Sequence, residues 1–261
     1  MKKIKNKRNG QHTNWDAVAN WYDSWMGKQG SVHHRHLAVP TVMKMLQPTK
    51  QEHVLDVGCG QGVLAESIVQ TGARYTGVDA SHKLLALAKK RHAHLRQARF
   101  LFADATKLDS YTYLKANLFQ CGVFLLSIQD MSPLDKVLQS VSGCLEENGR
   151  LVILMTHPCF RIPRQSGWGW DKQRKLRYRR IDNYLTKLKV PMKTHKHGTT
   201  RSYHRPLETY FNELGNNGFM IDQIREIPVG DLIKTDRSKA EKRADMEFPL
   251  FLAIRARKIA S

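Results

Sequence analysis

The 261-residue chain has no run approaching 18 apolar residues, which excludes a membrane-spanning helix from the sequence as it stands. Its opening stretch, MKKIKNKRNGQH, has no apolar core of the kind a secretory signal needs, so a cytoplasmic protein is expected. Cysteine is sparse. Cys59, Cys121, Cys144 and Cys159 are scattered without a C-x-x-C pair, which argues for reduced structural thiols and against a disulfide framework or a zinc site. The histidines, His33, His34 and His36 included, lack metal-ligand spacing, and no metal is expected. Acidic residues are also short, 23 against 43 Lys and Arg, for a net charge of +20. That excess is local. Residues 1–8 and 161–205 are densely basic, whereas the remainder is close to balanced. Such clustering suits an anionic partner, and an ordinary solvated face is the alternative.

With 41% apolar residues, the chain has enough for one large core, or a core with a smaller cap. NWDAVANWYDSWM (14–26) has helical spacing, with Asn14 as its N-cap, and SVHHRHLAVPTVMKMLQ predicts a second helical region bent near Pro40. From His53 the texture changes. HVLDVG, RYTGVDA, ARFLFAD, FQCGVFLLS and GRLVILM read as strands, separated by helical stretches at 61–70, after the capping Ser81, and at 134–145. This alternation implies βαβ units and a mainly parallel sheet covered on both faces. The pattern breaks at Thr156 and resumes near Pro206 with a helix, then strands near 220–227 and 248–258. The expected organisation is a basic tail and helical cover (1–49), a cofactor-binding core (50–155), a cap or substrate insertion (156–205) between the fifth and sixth strands, and the rest of the core (206–261).

Ligands of an open parallel sheet bind beyond the carboxyl ends of its strands. There the sequence places Asp56, the loop Gly58-Cys59-Gly60, Asp79 with Ala80, Asp104 and Ser127. A dinucleotide fingerprint needs G-x-G-x-x-G, but Val63 stands at the third glycine position. Asp56, inside the strand before the glycines, is a poor neighbour for pyrophosphate and suits a positive amino group. Asp79, nineteen residues past Gly60, is placed for two ribose hydroxyls. A ligand with a ribose and a cation but no diphosphate fits S-adenosylmethionine.

VLDVGCGQG closely resembles the first motif of the class I S-adenosylmethionine-dependent methyltransferases, in their small-molecule branch. The resemblance implies a Rossmann-like α/β fold with a seven-stranded, mostly parallel sheet and helices on both faces. It further implies that the loop wraps the methionine portion, that Asp56 orients the amino group and that Asp79 holds the ribose. FADAT (102–106) resembles the motif in which Asp104 and the Ala105 backbone meet the adenine amine. Ser127 would line the pocket, and Tyr22 would fold over the cofactor.

Methyl transfer needs in-line positioning and exclusion of water, and a base only where the nucleophile arrives protonated. His157, Asp130 and His204 are the candidate catalytic residues. Gln129, Phe160, Arg164, Trp168, Trp170, Tyr203 and Arg205 are candidate substrate contacts, largely from the stretch THPCFRIPRQSGWGWD and the end of the insertion. Its aromatics suit a pocket wall or the cap's own core, and its arginines suit an anionic substrate. The D/N-P-P-Y/F/W motif of base-amine methylation is absent. The expected substrate is a small or medium-sized metabolite. RNA is the alternative partner, held through the tail and DKQRKLRYRR, a run that also suits the wet face of a helix. A catalytically inactive partner protein of the same fold is the third reading. The sequence leaves the oligomeric state open.

Overall fold

The structure, a computed structural model, describes residues 15–27, 30–193, 198–230 and 237–259. The basic tail and the proposed Asn14 cap lie outside them. Strands β1 (His53–Val57), β2 (Arg74–Asp79), β3 (Ala98–Phe102), β4 (Phe119–Leu125) and β5 (Leu145–Thr156) are parallel. Hairpin strands β6 (Ser166–Asp171), β7 (Leu176–Ile181), β8 (Leu188–Lys193) and β9 (Thr199–His204) follow, then β10 (Phe219–Pro228) and β11 (Pro249–Lys258). The main sheet is seven-stranded in the order β10-β11-β5-β4-β1-β2-β3, with β11 antiparallel to both neighbours. This is the expected Rossmann-like architecture.

Both faces of the sheet are covered, so its strands alternate between two apolar layers. In β1, Leu55 and Val57 join the layer containing Phe119, Phe124 and Leu138, while Val54 joins the layer containing Tyr75, Val123 and Ile68. The first layer is closed by α6 (Leu134–Cys144) and α7 (Leu207–Asn216), and the second by α2 (Val39–Leu46), α3 (Ala65–Val69) and α4 (His82–Arg91). Each large side chain buried there contributes about 1.5–3 kcal/mol. Asp56 faces the second layer and so enters the sheet interior beside Tyr75.

Several sequence expectations need correction. The bend before α2 is a π-helical turn at His34–Ala38, whereas Pro40 sits in the first turn of α2, where its missing N–H is harmless. The helix expected over 61–70 shortens to α3, because the glycine turns run on to Leu64. A short α5 (Thr112–Ala116) and α8 (Lys239–Glu247) were not anticipated, although Ser238 and Glu241 form a complete capping box for α8. The insertion is two antiparallel hairpins, β6–β7 and β8–β9. DKQRKLRYRR is thus a turn and a strand, not a helix: Asp171 accepts from the Arg174 N–H to close the turn, and Leu176–Ile181 forms β7.

The first helix, α1 (Trp15–Met26), is fastened across the carboxyl edge of the sheet. Ser81 caps α4 by accepting from the Leu84 N–H at 3.2 Å, and its hydroxyl donates to Asp16 of α1 at 2.6 Å. The same Asp16 oxygen accepts from the Lys83 N–H, and Asp23 pairs with Arg91 at 2.6 Å. One serine therefore holds a helix start and a cover together. Ser81→Ala is expected to lower stability by about 1–2 kcal/mol, read as the shift in urea unfolding midpoint at unchanged slope. An unchanged midpoint would remove Ser81 from that role.

Candidate active site

Strand order reverses direction at β1, whose neighbours are β2 on one side and β4 on the other, and a cleft opens at the carboxyl ends there. Its volume is about 1060 Å³, at the upper end of the roughly 300–1,000 Å³ typical of small-molecule sites. The floor is the turn after β1. The Gly58 and Cys59 N–H groups both donate to the Val78 carbonyl, at 2.8 and 3.0 Å, which folds the turn back onto β2. Gly58 has φ +74°, and a Cβ there would lie 2.6 Å from the Ser127 Cβ. No heavy atom outside the immediate chain neighbours would lie within 4 Å of a Cβ on Gly60, so the tip of the loop faces open space.

Asp56 accepts a 2.7 Å hydrogen bond from the Tyr75 hydroxyl on one oxygen, and its other oxygen is buried without a partner. Burial pushes its carboxyl up to about 7, against the pull of the Tyr75 hydrogen bond, and Asp79 adds to the rise. Asp79 accepts from the Gly60 N–H at 2.9 Å and the Ser81 N–H at 2.8 Å, which fixes its orientation at the cleft wall. Its pKa is raised, by burial above all, with those two amides opposing. Ser127 donates to the Val57 carbonyl at 2.6 Å. Asp104 accepts from the Thr106 N–H and hydroxyl and so braces its own loop, while Phe102 stacks in parallel on His82 at 4.0 Å between ring centroids.

The cleft brings together Tyr22, Asp56, Gly58, Cys59, Gly60, Asp79, Ala80, Asp104, Ala105, Ser127, Asp130 and Tyr203. Other candidates lie outside its lining. His157 is buried, its Nε2 2.8 Å from Glu226 and its Nδ1 accepting from the Cys159 N–H, so both nitrogens are engaged. His204 Nε2 meets the Tyr184 carbonyl at 2.7 Å, and Gln129 donates to the Leu126 carbonyl. Phe160 packs on His157 and Phe248, Arg164 donates to the Pro191 carbonyl, and Arg205 to the Met131 carbonyl. Trp168 is faced by Phe248 and the guanidinium groups of Arg161, Arg177 and Arg179, and Trp170 is 48% exposed. Phe160 and Trp168 therefore anchor the insertion at Phe248, between α8 and β11, and lie outside the cleft that Tyr203 lines. Trp15 and Asp16 do line it, and sequence reasoning missed them, because only the docking of α1 gives them that position.

Residues 54–149 match the family described as "Methyltransferase domain". A solved S-adenosylmethionine-dependent methyltransferase from Mesorhizobium loti is 26% identical, with 88% of this chain and 100% of that chain covered, at a TM-score of 0.68. Residues 54–149 are thus a methyltransferase domain, carried on the class I S-adenosylmethionine-dependent methyltransferase fold. A ubiquinone biosynthesis O-methyltransferase of Coxiella burnetii is 41% identical over 103 residues, covering 35% of this chain and 44% of that protein. The chain thus spans less than half the length of that relative. An uncharacterized protein of Haemophilus influenzae is 25% identical over 197 residues, covering 74% and 76% of the two chains.

The site fits the methyl donor that defines this family: the unpartnered Asp56 oxygen suits a cationic amine, and the open loop tip leaves it room. Because a cationic ligand favours the ionised carboxylate, S-adenosylmethionine affinity is expected to rise with pH between 5.5 and 7, by up to about tenfold per unit. Below pH 7, binding should expel a proton, seen as a calorimetric heat that depends on the buffer. Asp56→Asn should abolish the proton release; its persistence would assign that titration to another group.

Proposed function

We propose that this protein transfers a methyl group from S-adenosylmethionine, by in-line displacement, to a small or medium-sized metabolite. The observation that carries this reading is an acid-lined cleft of about 1060 Å³ whose lining α1 and β9 share. Trp15, Asp16 and Tyr22 of α1 and Tyr203 of β9 line it, and a recess of that size suits a small molecule beside the methyl donor.

S-adenosylmethionine supplies a methyl group that its positively charged sulfur already activates. The remaining work belongs to the chain. Asp56 orients the amino group from inside the sheet, and the Gly58–Gly60 backbone approaches the methionine portion without side-chain obstruction. Asp79, steadied by two backbone amides, receives the ribose hydroxyls. The stacked pair Phe102 and His82 would offer the base a ring face, and the Asp104–Thr106 turn would offer it polar groups. Tyr22 and Tyr203 exclude water around the reacting pair. Asp130 is placed to take a proton where the acceptor brings one, because burial pushes its carboxyl up to about 7 against the Ser202 hydrogen bond. His157 and His204 have no part in this scheme.

The RNA reading keeps one supporting observation: β7 exposes Leu176, Tyr178 and Arg180 on a basic hairpin. The two readings separate in one experiment. Protein, methyl-labelled S-adenosylmethionine and a cell extract divided into purified RNA and RNA-free metabolites are incubated together. Label in the metabolite fraction is expected. Label confined to RNA would replace the metabolite reading, and label in neither fraction despite cofactor binding would favour an inactive fold.

A further inference from the structure

The cleft has an unusual charge inventory for so basic a protein. Asp16, Asp56, Asp79, Asp104 and Asp130 line it, whereas the lining basic groups are Lys107, His34 and His82. Lys107 is largely exposed and leans 4.0 Å from Asp104. Burial lowers His34 to about 4, so it is neutral at physiological pH. The arginines of the insertion are elsewhere, on Trp168 and on the Pro191 carbonyl.

Four of the five carboxylates already have work. Asp16 clips α1 to α4, Asp104 braces its own turn, Asp79 holds two amides at the wall, and Asp56 sits in the sheet behind the glycine loop. Asp130 remains. It lies in the 3-10 turn Ile128–Asp130 after β4, beside Met131, whose terminal methyl would be 2.7 Å from a Cβ on Gly58. The methionine-binding loop and Asp130 therefore converge on one place.

Around Asp130, α1 offers the Tyr22 phenol, β9 offers the Ser202 hydroxyl, and α7 offers the Tyr210 phenol. Arg205 follows β9; its Nη2 donates to the Met131 carbonyl at 2.6 Å and its guanidinium faces the Tyr203 and Tyr210 rings, while its Nη1 is buried without a hydrogen-bond partner and the residue lies outside the lining of the cleft. Among the described residues, no cation forms an ion pair with Asp130. A carboxylate or phosphate brought here would meet a like charge in a low-dielectric recess whose lining includes no guanidinium.

We propose that the acceptor end of the cleft selects an amine or hydroxyl whose N–H or O–H donates to Asp130, and rejects carboxylate and phosphate groups. This rests on the methyltransferase reading above and reverses the anionic substrate suggested by the chain's net charge. Asp130 is the residue that sets the selectivity, and Ser202 positions its carboxylate.

The test uses the wild-type protein saturated with S-adenosylhomocysteine at pH 8, titrated by calorimetry with benzylamine and, separately, benzoate. Benzylamine is expected to bind at least about tenfold more tightly, a difference of roughly 1.4 kcal/mol. Asp130→Asn should remove that preference while S-adenosylhomocysteine affinity stays within about twofold. Ser202→Ala should move the pH midpoint of benzylamine binding upward, because the hydroxyl that stabilises the ionised carboxylate is gone. Benzoate binding as tight as benzylamine, or a preference that survives in Asp130→Asn, would overturn the inference. Failure of the wild-type protein to bind S-adenosylhomocysteine would instead sink the methyltransferase reading beneath it.

Discussion

A carboxylate inside a parallel sheet, satisfied on one oxygen and bare on the other, is costly to keep unless something positive is to meet it. Asp56 is that group. Its position follows from the alternation of β1, which sends Val54 and Asp56 to one layer and Leu55 and Val57 to the other. Tyr75, from the neighbouring strand, supplies the one hydrogen bond that makes the burial tolerable. The rest of the site is arranged around this residue. The Gly58 turn closes directly after it, the Val78 carbonyl receives two amides from the turn, and Asp79 stands at the next strand end.

The cover and the insertion divide the remaining tasks. Through Asp16 and Ser81, α1 is tied to Asp79, so the helical cover and the Asp79 wall of the cleft are one mechanical unit. The insertion is anchored separately. Arg177 and Arg179 turn inward from β7 onto Trp168, leaving Leu176 and Tyr178 outside, the reverse of the usual partition of a strand. The effect is to take much of the local basic excess away from the cleft. Net charge and site charge thus have opposite signs in this protein, and among the described residues of the insertion it is Tyr203 of β9 that lines the site.

The sheet was legible in the sequence because its strands are short apolar runs ending in glycine or aspartate, a local signal with few alternatives. For the same reason the elements bearing the cofactor-site candidates were legible: Asp56, Gly58, Asp79 and Asp104 sit at strand ends that the pattern marks. The insertion was not. Residues 166–181 do alternate, but the alternation puts arginine inside and tyrosine outside, so a hydrophobicity pattern reads it backwards. His157 looked catalytic because it follows β5; its ring instead turns to Glu226 of β10, a contact separated by 69 positions that no local signal announces. Asp16 was invisible for the opposite reason, since on its own helix it is an ordinary first-turn acid.

A buried acid with one bare oxygen and an acid-lined cleft suit a Rossmann-like sheet to a cationic ligand rather than a pyrophosphate. The most direct measurement is a calorimetric comparison of S-adenosylmethionine and NAD on the wild-type protein at pH 7.5. S-adenosylmethionine is expected to bind at least about a hundredfold more tightly than NAD, or roughly 2.7 kcal/mol. NAD binding as tightly as S-adenosylmethionine would contradict it.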